Sequence, residues 1–220
     1  VKIFLDTAHE KDIKRLAQKG LLDGVTTNPT LLSREMGLPT EVVRHICAMV
    51  PDGAISVEVT EKKPEAVYRQ AHAIAKIAPN VVVKIPCVLD YAKIIKKLVD
   101  EKIKLNITLI FSALQGLLMA KQGVDYISPF VGRLDDSGAD GMAVVHDLRL
   151  MLDFYGYDKT SIIAASIRTV DHVKEAALAG ADVVTIKPKL FEKLLYHPMT
   201  ESGMADFDAD WKKLGIKQFP

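Results

Sequence analysis

Val81-Val82-Val83-Lys84-Ile85-Pro86 reads as a strand covered on both faces, because a short, nearly continuous β-branched run is what a parallel strand packed between layers requires. A helical pattern follows from Asp90 to Glu101, with apolar residues three and four apart, and a second β-rich run spans Lys104 to Phe111. Strand, helix, strand is the repeating unit of a parallel sheet. Working outward, further β-rich runs cover Lys2 to Asp6, Gly24 to Asn28, Ile55 to Thr60, Tyr126 to Gly132, Ser161 to Arg168 and Val183 to Pro188. Helical patterns cover Lys63 to Ala78, Ser112 to Gly123 and Thr169 to Ala179, with Gly20, Gly123 and Gly180 following helical stretches and Pro79 ending another. The eight strand starts lie 22 to 35 residues apart, so the chain either closes as a barrel or lies open as a doubly wound sheet.

Closure is favoured. An open dinucleotide-binding sheet should carry G-x-G-x-x-G after its first strand, whereas this chain has Asp6-Thr7-Ala8-His9 there and no Walker loop elsewhere. The expectation is an α/β chain forming one (β/α)8 TIM barrel over residues 1–220. Residues 200–220 are expected as a C-terminal helical extension with Thr200 as its N-cap. Met204, Phe207, Trp211 and Leu214 would form an apolar stripe on it, covering the barrel's own end or, the favoured reading, a neighbouring subunit.

Composition narrows the classes. The 220 residues suit one domain, and 49% hydrophobic against 26% charged residues is globular composition. Lys and Arg number 29 against 28 Asp and Glu, so no charge footprint for nucleic acid or an anionic membrane is present. Cys47 and Cys87 are too few for a disulfide framework, which suits a cytoplasmic setting. Val1 to Asp6 reaches an acid too early for a signal peptide, and the uncharged stretch Leu105 to Ala120 is short for a membrane span. The six histidines show no metal-ligand spacing, so no metal is expected. Met142, Met151, Phe154, Tyr155 and Tyr157 read as core, and Lys93, Lys96 and Lys97 as a solvated face.

In a barrel the C-terminal strand ends carry function, and here they are rich in polar residues: Asp6, Thr26, Thr27, Asn28, Glu58, Lys84, Asn106, Thr108, Ser128, Arg133, Ser166 and Arg168. Lys84 stands alone in a run that reads as fully buried. Desolvation favours a neutral amine that could attack a carbonyl and form a Schiff base, although an ion pair with Asp6 or Glu58, or an ammonium reaching the rim, would also explain it. Glu58 could shuttle protons through a water shared with Thr108, or serve only as the counter-ion of Lys84. Asp6 could take a proton from a substrate hydroxyl, or cap the following helix. Arg133, Ser166 and Arg168 could hold a phosphate, since phosphate sites favour the late βα loops; Arg133 could instead pair with Asp135 or Asp136, and Arg168 could be a solvated loop residue.

Five motifs then give a family resemblance. Phe4-Leu5-Asp6-Thr7-Ala8, Asp23-Gly24-Val25-Thr26-Thr27-Asn28-Pro29-Thr30, Val83-Lys84-Ile85-Pro86, Asn106-Ile107-Thr108-Leu109-Ile110-Phe111-Ser112 and Ser128-Pro129-Phe130-Val131-Gly132-Arg133-Leu134-Asp135-Asp136 resemble signatures of the small transaldolases and the related fructose-6-phosphate aldolases. The resemblance runs essentially from end to end. It implies Lys84 as the Schiff-base lysine, Asp6 as the acid/base at the scissile bond, and Glu58 with Thr108 as holders of the catalytic water. It further implies Asn28 and Ser128 at the sugar hydroxyls, Thr26 and Phe130 among the substrate-binding residues, and Arg133, Ser166 and Arg168 at the phosphate.

Fructose-6-phosphate aldolases resemble Gln where this chain has Glu58 and Tyr where it has Phe130, which places the resemblance on the transaldolase side. The implied reaction moves a dihydroxyacetone unit from sedoheptulose 7-phosphate or fructose 6-phosphate to glyceraldehyde 3-phosphate or erythrose 4-phosphate. It belongs to the pentose phosphate pathway and needs no cofactor. An aldolase releasing dihydroxyacetone and a non-catalytic sugar-phosphate binding protein are the alternatives. The resemblance also implies a homo-oligomer, commonly a decamer of two pentameric rings. His9, Cys87 and Lys187 depart from the pattern, which usually has Asn, Met and Pro there; Lys187 could reach a phosphate or be solvated, and Cys87 is read as packing.

Overall fold

The computed structural model describes residues 1–215; the expected extension therefore has its last five residues, 216–220, outside the described residues. Eight parallel strands close in sequence order, β1 (Lys2–Asp6), β2 (Gly24–Thr26), β3 (Ala54–Glu58), β4 (Val81–Pro86), β5 (Leu105–Ile110), β6 (Tyr126–Pro129), β7 (Ser161–Ala164) and β8 (Val183–Ile186), with β8 pairing back onto β1. This is the TIM barrel expected from the alternation of runs. Parallel neighbours need a crossover, and each crossover here carries helix. The helices are α1 (Glu10–Ala17), α2 (Pro29–Leu32), α3 (Pro39–Met49), α4 (Pro64–Ala75), α5 (Ala92–Asp100), α6 (Ala113–Gln122), α7 (Val131–Asp136), α8 (Gly141–Tyr155), α9 (Val170–Leu178), α10 (Pro188–Lys193) and α11 (Pro198–Lys213). A 3₁₀ turn at Leu89–Tyr91 opens the segment read as helix from Asp90.

Local sequence sets these ends. Asn28, Ser112, Asp140 and Thr169 each accept a backbone N–H three residues on, so α2, α6, α8 and α9 start with one orphan donor satisfied. The extension begins earlier than expected: its N-cap is His197, whose ring accepts from Met199 N, and Thr200 lies inside α11 because Pro198 at the first turn already favours helix. Two of the runs read as strand, Ser161 to Arg168 and Gly24 to Asn28, end after Ala164 and Thr26. Their last residues leave the ladder to form the upper loops.

Strand parity separates two apolar regions. Leu5, Val25, Val57, Val83, Ile85 and Ile186 belong to the large core between sheet and helices. Phe4, Ile163 and Val183, with Ala54 and Tyr126 against them, form a small separate cluster inside the barrel. Phe4 lies so close over β2 that a Cβ on Gly24 would come within 2.7 Å of its ring and 2.5 Å of the Ala54 carbonyl oxygen, so this position admits only glycine. At the same end, Asp23, Asp125 and Asp182 precede β2, β6 and β8 and accept the N–H groups of Ile3, Leu105 and Ile162 at 2.8, 2.9 and 2.7 Å. Asn80, before β4, donates to the Cys47, Val50 and Gly53 carbonyls ahead of β3. Each even strand thus anchors the start of the odd strand before it, and a hydrogen bond to an ionised group contributes about 1.5–3 kcal/mol. Register is held from below, and the upper end is left for polar side chains.

Two core expectations need correction. Phe154 and Tyr155 are 82% and 60% exposed, because the last turn of α8 runs past the sheet and its aromatics meet edge-on with one another, 5.1 Å apart. Met142 and Tyr157 pack against the core, and Lys93, Lys96 and Lys97 are exposed as expected. Cys47 and Cys87 are free thiols; burial pushes Cys47 up to about 11 and raises Cys87 as well, which suits packing rather than reactivity. Among the described residues no helix is long and apolar enough to cross a membrane.

Candidate active site

Above the Phe4 floor the inward positions turn polar. Ser56 and Asn106 come first, then Thr26, Lys84, Ser128 and Thr185 from the four even strands, then Asp6, Glu58 and Thr108 from odd strands. Side chains from alternate strands share a layer in such barrels, and the contacts agree. Lys84, 4% exposed, places its ammonium 3.1 Å from Glu58 Oε2 and donates to the Thr27 carbonyl at 3.3 Å. The pairing follows from register, since Glu58 on β3 stands opposite Lys84 on β4. Asp6 accepts from Thr26 Oγ1 at 3.0 Å and is not a helix cap; His9 holds the N-cap position of α1.

Burial pushes the Asp6 carboxyl above the ordinary carboxylate range, against the opposing pull of the Lys84 charge, the Thr26 hydrogen bond and Lys187. Only one Asp6 oxygen is bonded among the described residues, which leaves the other free toward the cavity.

Two polar residues have defined remaining capacity. Ser128 Oγ donates to Asn106 Oδ1 at 2.6 Å, and Asn106 Nδ2 donates to Ser56 Oγ at 3.0 Å. The single Ser128 hydrogen is spent there, so toward a ligand Ser128 can only accept. Asn28 Oδ1 accepts from Leu31 N at 2.9 Å, so its remaining group is the amide donor. Sugar hydroxyls can satisfy both, donating to Ser128 and accepting from Asn28.

Thr108 Oγ1 is buried without a hydrogen-bond partner among the described residues. Just beyond it the β5–β6 register shifts between Ile107 and Ile110, with Leu109 at φ 56°, a rare conformation for a bulky residue. The shift sends Ile110 into the outer core instead of over Thr108. Local strain here keeps the barrel mouth open above a polar residue.

The opposite wall is cationic. Phe130 lies between two charges, 6.0 Å from Lys84 Nζ and 4.9 Å from the Arg133 guanidinium. Arg133 therefore does not pair with Asp135 or Asp136; Arg168 is the one that bonds Asp136, and it also donates to the Gly132 carbonyl. A Cβ on Gly132 would lie 2.2 Å from the Ser166 carbonyl oxygen and 2.8 Å from Arg168 Nε, so glycine lets the start of α7 reach the β7 loop. Ser166 has φ 60°, and the N–H groups of Ser166, Ile167 and Arg168 find no acceptor among the described residues.

A cavity of about 350 Å³ joins these parts. Asp6, Thr26, Asn28, Lys84 and Ser128 line it together with Phe130, Arg133, Ser166 and Arg168. Glu58 and Thr108 sit behind its wall, next to Lys84 and on the neighbouring strand. Thr185, which the sequence reading did not single out, and Lys187, read as either reaching a phosphate or solvated, also line the cavity. Thr185 carries the same signal as Lys84, one polar residue in the apolar run Val183-Val184-Thr185-Ile186. Four cations and one free carboxylate face the space, a balance suited to an anionic ligand. Among the described residues no group of His, Cys, Asp and Glu could hold a metal ion.

Comparisons with known proteins bear on the family and the fold. The family model described as transaldolase/fructose-6-phosphate aldolase matches residues 3–218. A probable transaldolase of Lactiplantibacillus plantarum is 54% identical over 218 residues, covering 99% of this chain and 100% of that protein. A probable transaldolase of Caulobacter vibrioides is 51% identical over 215 residues, covering 98% of each. A solved chain from Pediococcus acidilactici that carries a lactate oxidase name superposes with a TM-score of 0.61 at 14% identity, over 88% of this chain and 64% of that one. That last likeness concerns the fold alone.

Proposed function

The chain belongs to the transaldolase/fructose-6-phosphate aldolase family, and from that premise we propose that it is a transaldolase, moving a dihydroxyacetone unit between a ketose phosphate and an aldose phosphate through a Schiff base on Lys84. Donors of this class are sedoheptulose 7-phosphate and fructose 6-phosphate; acceptors are glyceraldehyde 3-phosphate and erythrose 4-phosphate, as in the pentose phosphate pathway. The observation that carries the reading is a buried lysine amine 3.1 Å from a carboxylate at the foot of a cationic cavity.

Lys84 Nζ, its proton passed to Glu58, attacks the ketone carbon and gives a carbinolamine. Glu58 and the unpartnered Thr108 hydroxyl are placed to hold a water that carries protons as the carbinolamine loses water to become an iminium. Asp6 takes the proton of the C4 hydroxyl, on the far carbon of the C3–C4 bond that breaks, so that this carbon becomes the leaving aldehyde. The carbon–carbon pair moves into the iminium, an enamine remains on Lys84, and an aldose phosphate leaves. The enamine then adds to the acceptor aldehyde, Asp6 returns its proton to the new hydroxyl, and hydrolysis frees the ketose. Arg133, Ser166 and Arg168 support phosphate binding, while Asn28 as donor and Ser128 as acceptor support recognition of the retained fragment.

A coupled assay of glyceraldehyde 3-phosphate release from fructose 6-phosphate, with and without erythrose 4-phosphate, tests the reading. Product is expected only when acceptor is present. Equal product without acceptor would make the protein an aldolase, and no product with any acceptor would leave a binding protein. Self-association is part of the same reading: none of the described residues of α11 is buried, and Met204 and Phe207 are 67% and 76% exposed. Sedimentation of the intact chain is expected to give an assembly larger than one copy, and Phe207→Asp to shift it toward the monomer.

A further inference from the structure

We propose that Thr185 is a positioning residue for the Asp6 carboxylate, acting through Thr26 in a directed relay of two buried hydroxyls. Thr26 Oγ1 lies 3.0 Å from Asp6 Oδ1 and 2.6 Å from Thr185 Oγ1, and both threonines are 3% exposed. They meet because β2 and β8 flank β1 and contribute to the same interior layer. Proton accounting sets the direction. An ionised Asp6 can only accept, so the one Thr26 hydrogen points to it, and the 2.6 Å contact must be filled by the Thr185 hydrogen. Each hydroxyl polarises the next, and the carboxylate receives a stronger bond than an isolated threonine gives.

The same geometry serves the protonated state. When Asp6 has taken a proton on Oδ2, the oxygen left free toward the cavity, Oδ1 still accepts from Thr26 and Thr26 from Thr185, so neither hydroxyl has to turn and no heavy atom moves. An acid/base that must give back the proton it takes is thus held in one place in both states. Asp6 also faces the Lys84 ammonium of β4 and Lys187 after β8, with Glu58 of β3 held on Lys84. Those charges are in place whether or not the relay is intact, so its contribution can be read separately. The proposal rests on Asp6 being the acid/base of the cleavage step.

Thr185→Val keeps the shape and removes the hydroxyl. In this variant the acid limb of the kcat profile for acceptor-dependent transfer is expected to move up by about half to one pH unit, less than the loss of a whole hydrogen bond to the carboxylate, because the Thr26 bond is weakened and not removed. At pH values on that limb kcat should fall by about 3- to 10-fold with KM little changed. Borohydride trapping of substrate on Lys84, which does not use Asp6, should stay at the native level and report an intact barrel. Thr185→Ser is expected to restore the limb, and Thr185→Ala to move it as Val does without placing a methyl against Thr26.

An unmoved limb in both Val and Ala variants overturns the relay, as does failure of Ser to restore it. A raised KM with an unmoved limb would make Thr185 a direct substrate contact instead. Asp6→Asn separates the premise: full transfer in that variant removes Asp6 from the chemistry, whereas its inactivity beside an unmoved Thr185→Val limb removes only the relay.

Discussion

Lys84→Met is expected to abolish transfer, by roughly 10⁴-fold or more, because a covalent nucleophile works as part of a unit and no neighbour can replace it. Among the described residues Lys84 is the only lysine on the interior of the strands above the floor, and Lys187 stands outside the ladder at the rim. Mass analysis after borohydride reduction with fructose 6-phosphate should show the added fragment on the native peptide containing Lys84 and on no peptide of the variant. The substitution has a second consequence. It leaves the Glu58 side chain, 14% exposed, without its cation, and breaking a buried pair from one side costs about 3–5 kcal/mol. Lys84→Met with Glu58→Gln should therefore be as inactive as the single variant but more stable in urea. Activity surviving in Lys84→Met, or an adduct on another lysine, would end the Schiff-base assignment.

The route to that lysine was open in the sequence because its signal is local. One ammonium inside Val81-Val82-Val83-Lys84-Ile85-Pro86 is a conflict between burial and charge that any fold has to resolve, and eight such runs between helical patterns leave few architectures. What stayed hidden depends on closure. Thr185 shows the same lone polar residue, but its importance comes from touching Thr26, 159 positions earlier. That contact exists only once the register is known: two strands along and two residues up carries Thr26 to Lys84, Lys84 to Ser128, Ser128 to Thr185 and Thr185 back to Thr26.

The choice of Arg168 over Arg133 as partner of Asp136 was hidden for a similar reason. Asp136 is three residues from Arg133 in sequence, yet Arg133 is drawn over Phe130 while the β7 loop brings Arg168 across Gly132. The α11 start was misplaced because His197 is an uncommon cap, and Phe154 and Tyr155 were misread because helical spacing does not say where a helix outruns its sheet.

The site also explains where the fold carries its costs. Ser128, Asn106 and Ser56 form a linear hydrogen-bonded chain, so each of three buried polar side chains has a protein partner and Ser128 keeps acceptor capacity toward the cavity. Leu109 and Ser166 take up left-handed backbone at the rim, next to Thr108 and the arginine wall. At the opposite end Lys102, ahead of β5, is also left-handed, and there the Asp and Asn anchors hold the strand starts. One end of the barrel thus stabilises an arrangement at the other that apolar packing alone would not favour.

Asp6 shows that arrangement most directly. Asp6→Asn keeps an acceptor for Thr26 and removes the base, so kcat for transfer is expected to fall by about 10²- to 10⁴-fold while the adduct on Lys84 still forms. The pH dependence follows from the direction of the shift. Burial raises the Asp6 carboxyl in the folded state, so in the native protein the base form is lost at a higher pH than an ordinary Asp would lose it, and the acid limb of transfer should sit correspondingly high.

Stability has the matching sign. A carboxyl raised on folding stabilises the protein fully below its unfolded value, and that contribution disappears as pH rises through the folded value and the charge must be buried. Asp6→Asn never acquires the charge. Relative to native protein it should be no less stable at neutral pH and should lose any advantage as pH falls below the ordinary carboxylate range. Urea unfolding at two pH values beside kcat measures both effects. A variant that is inactive and also less stable at neutral pH would mean that the Asp6 charge holds the barrel together through Lys84 and Lys187, and that its burial carries no net cost.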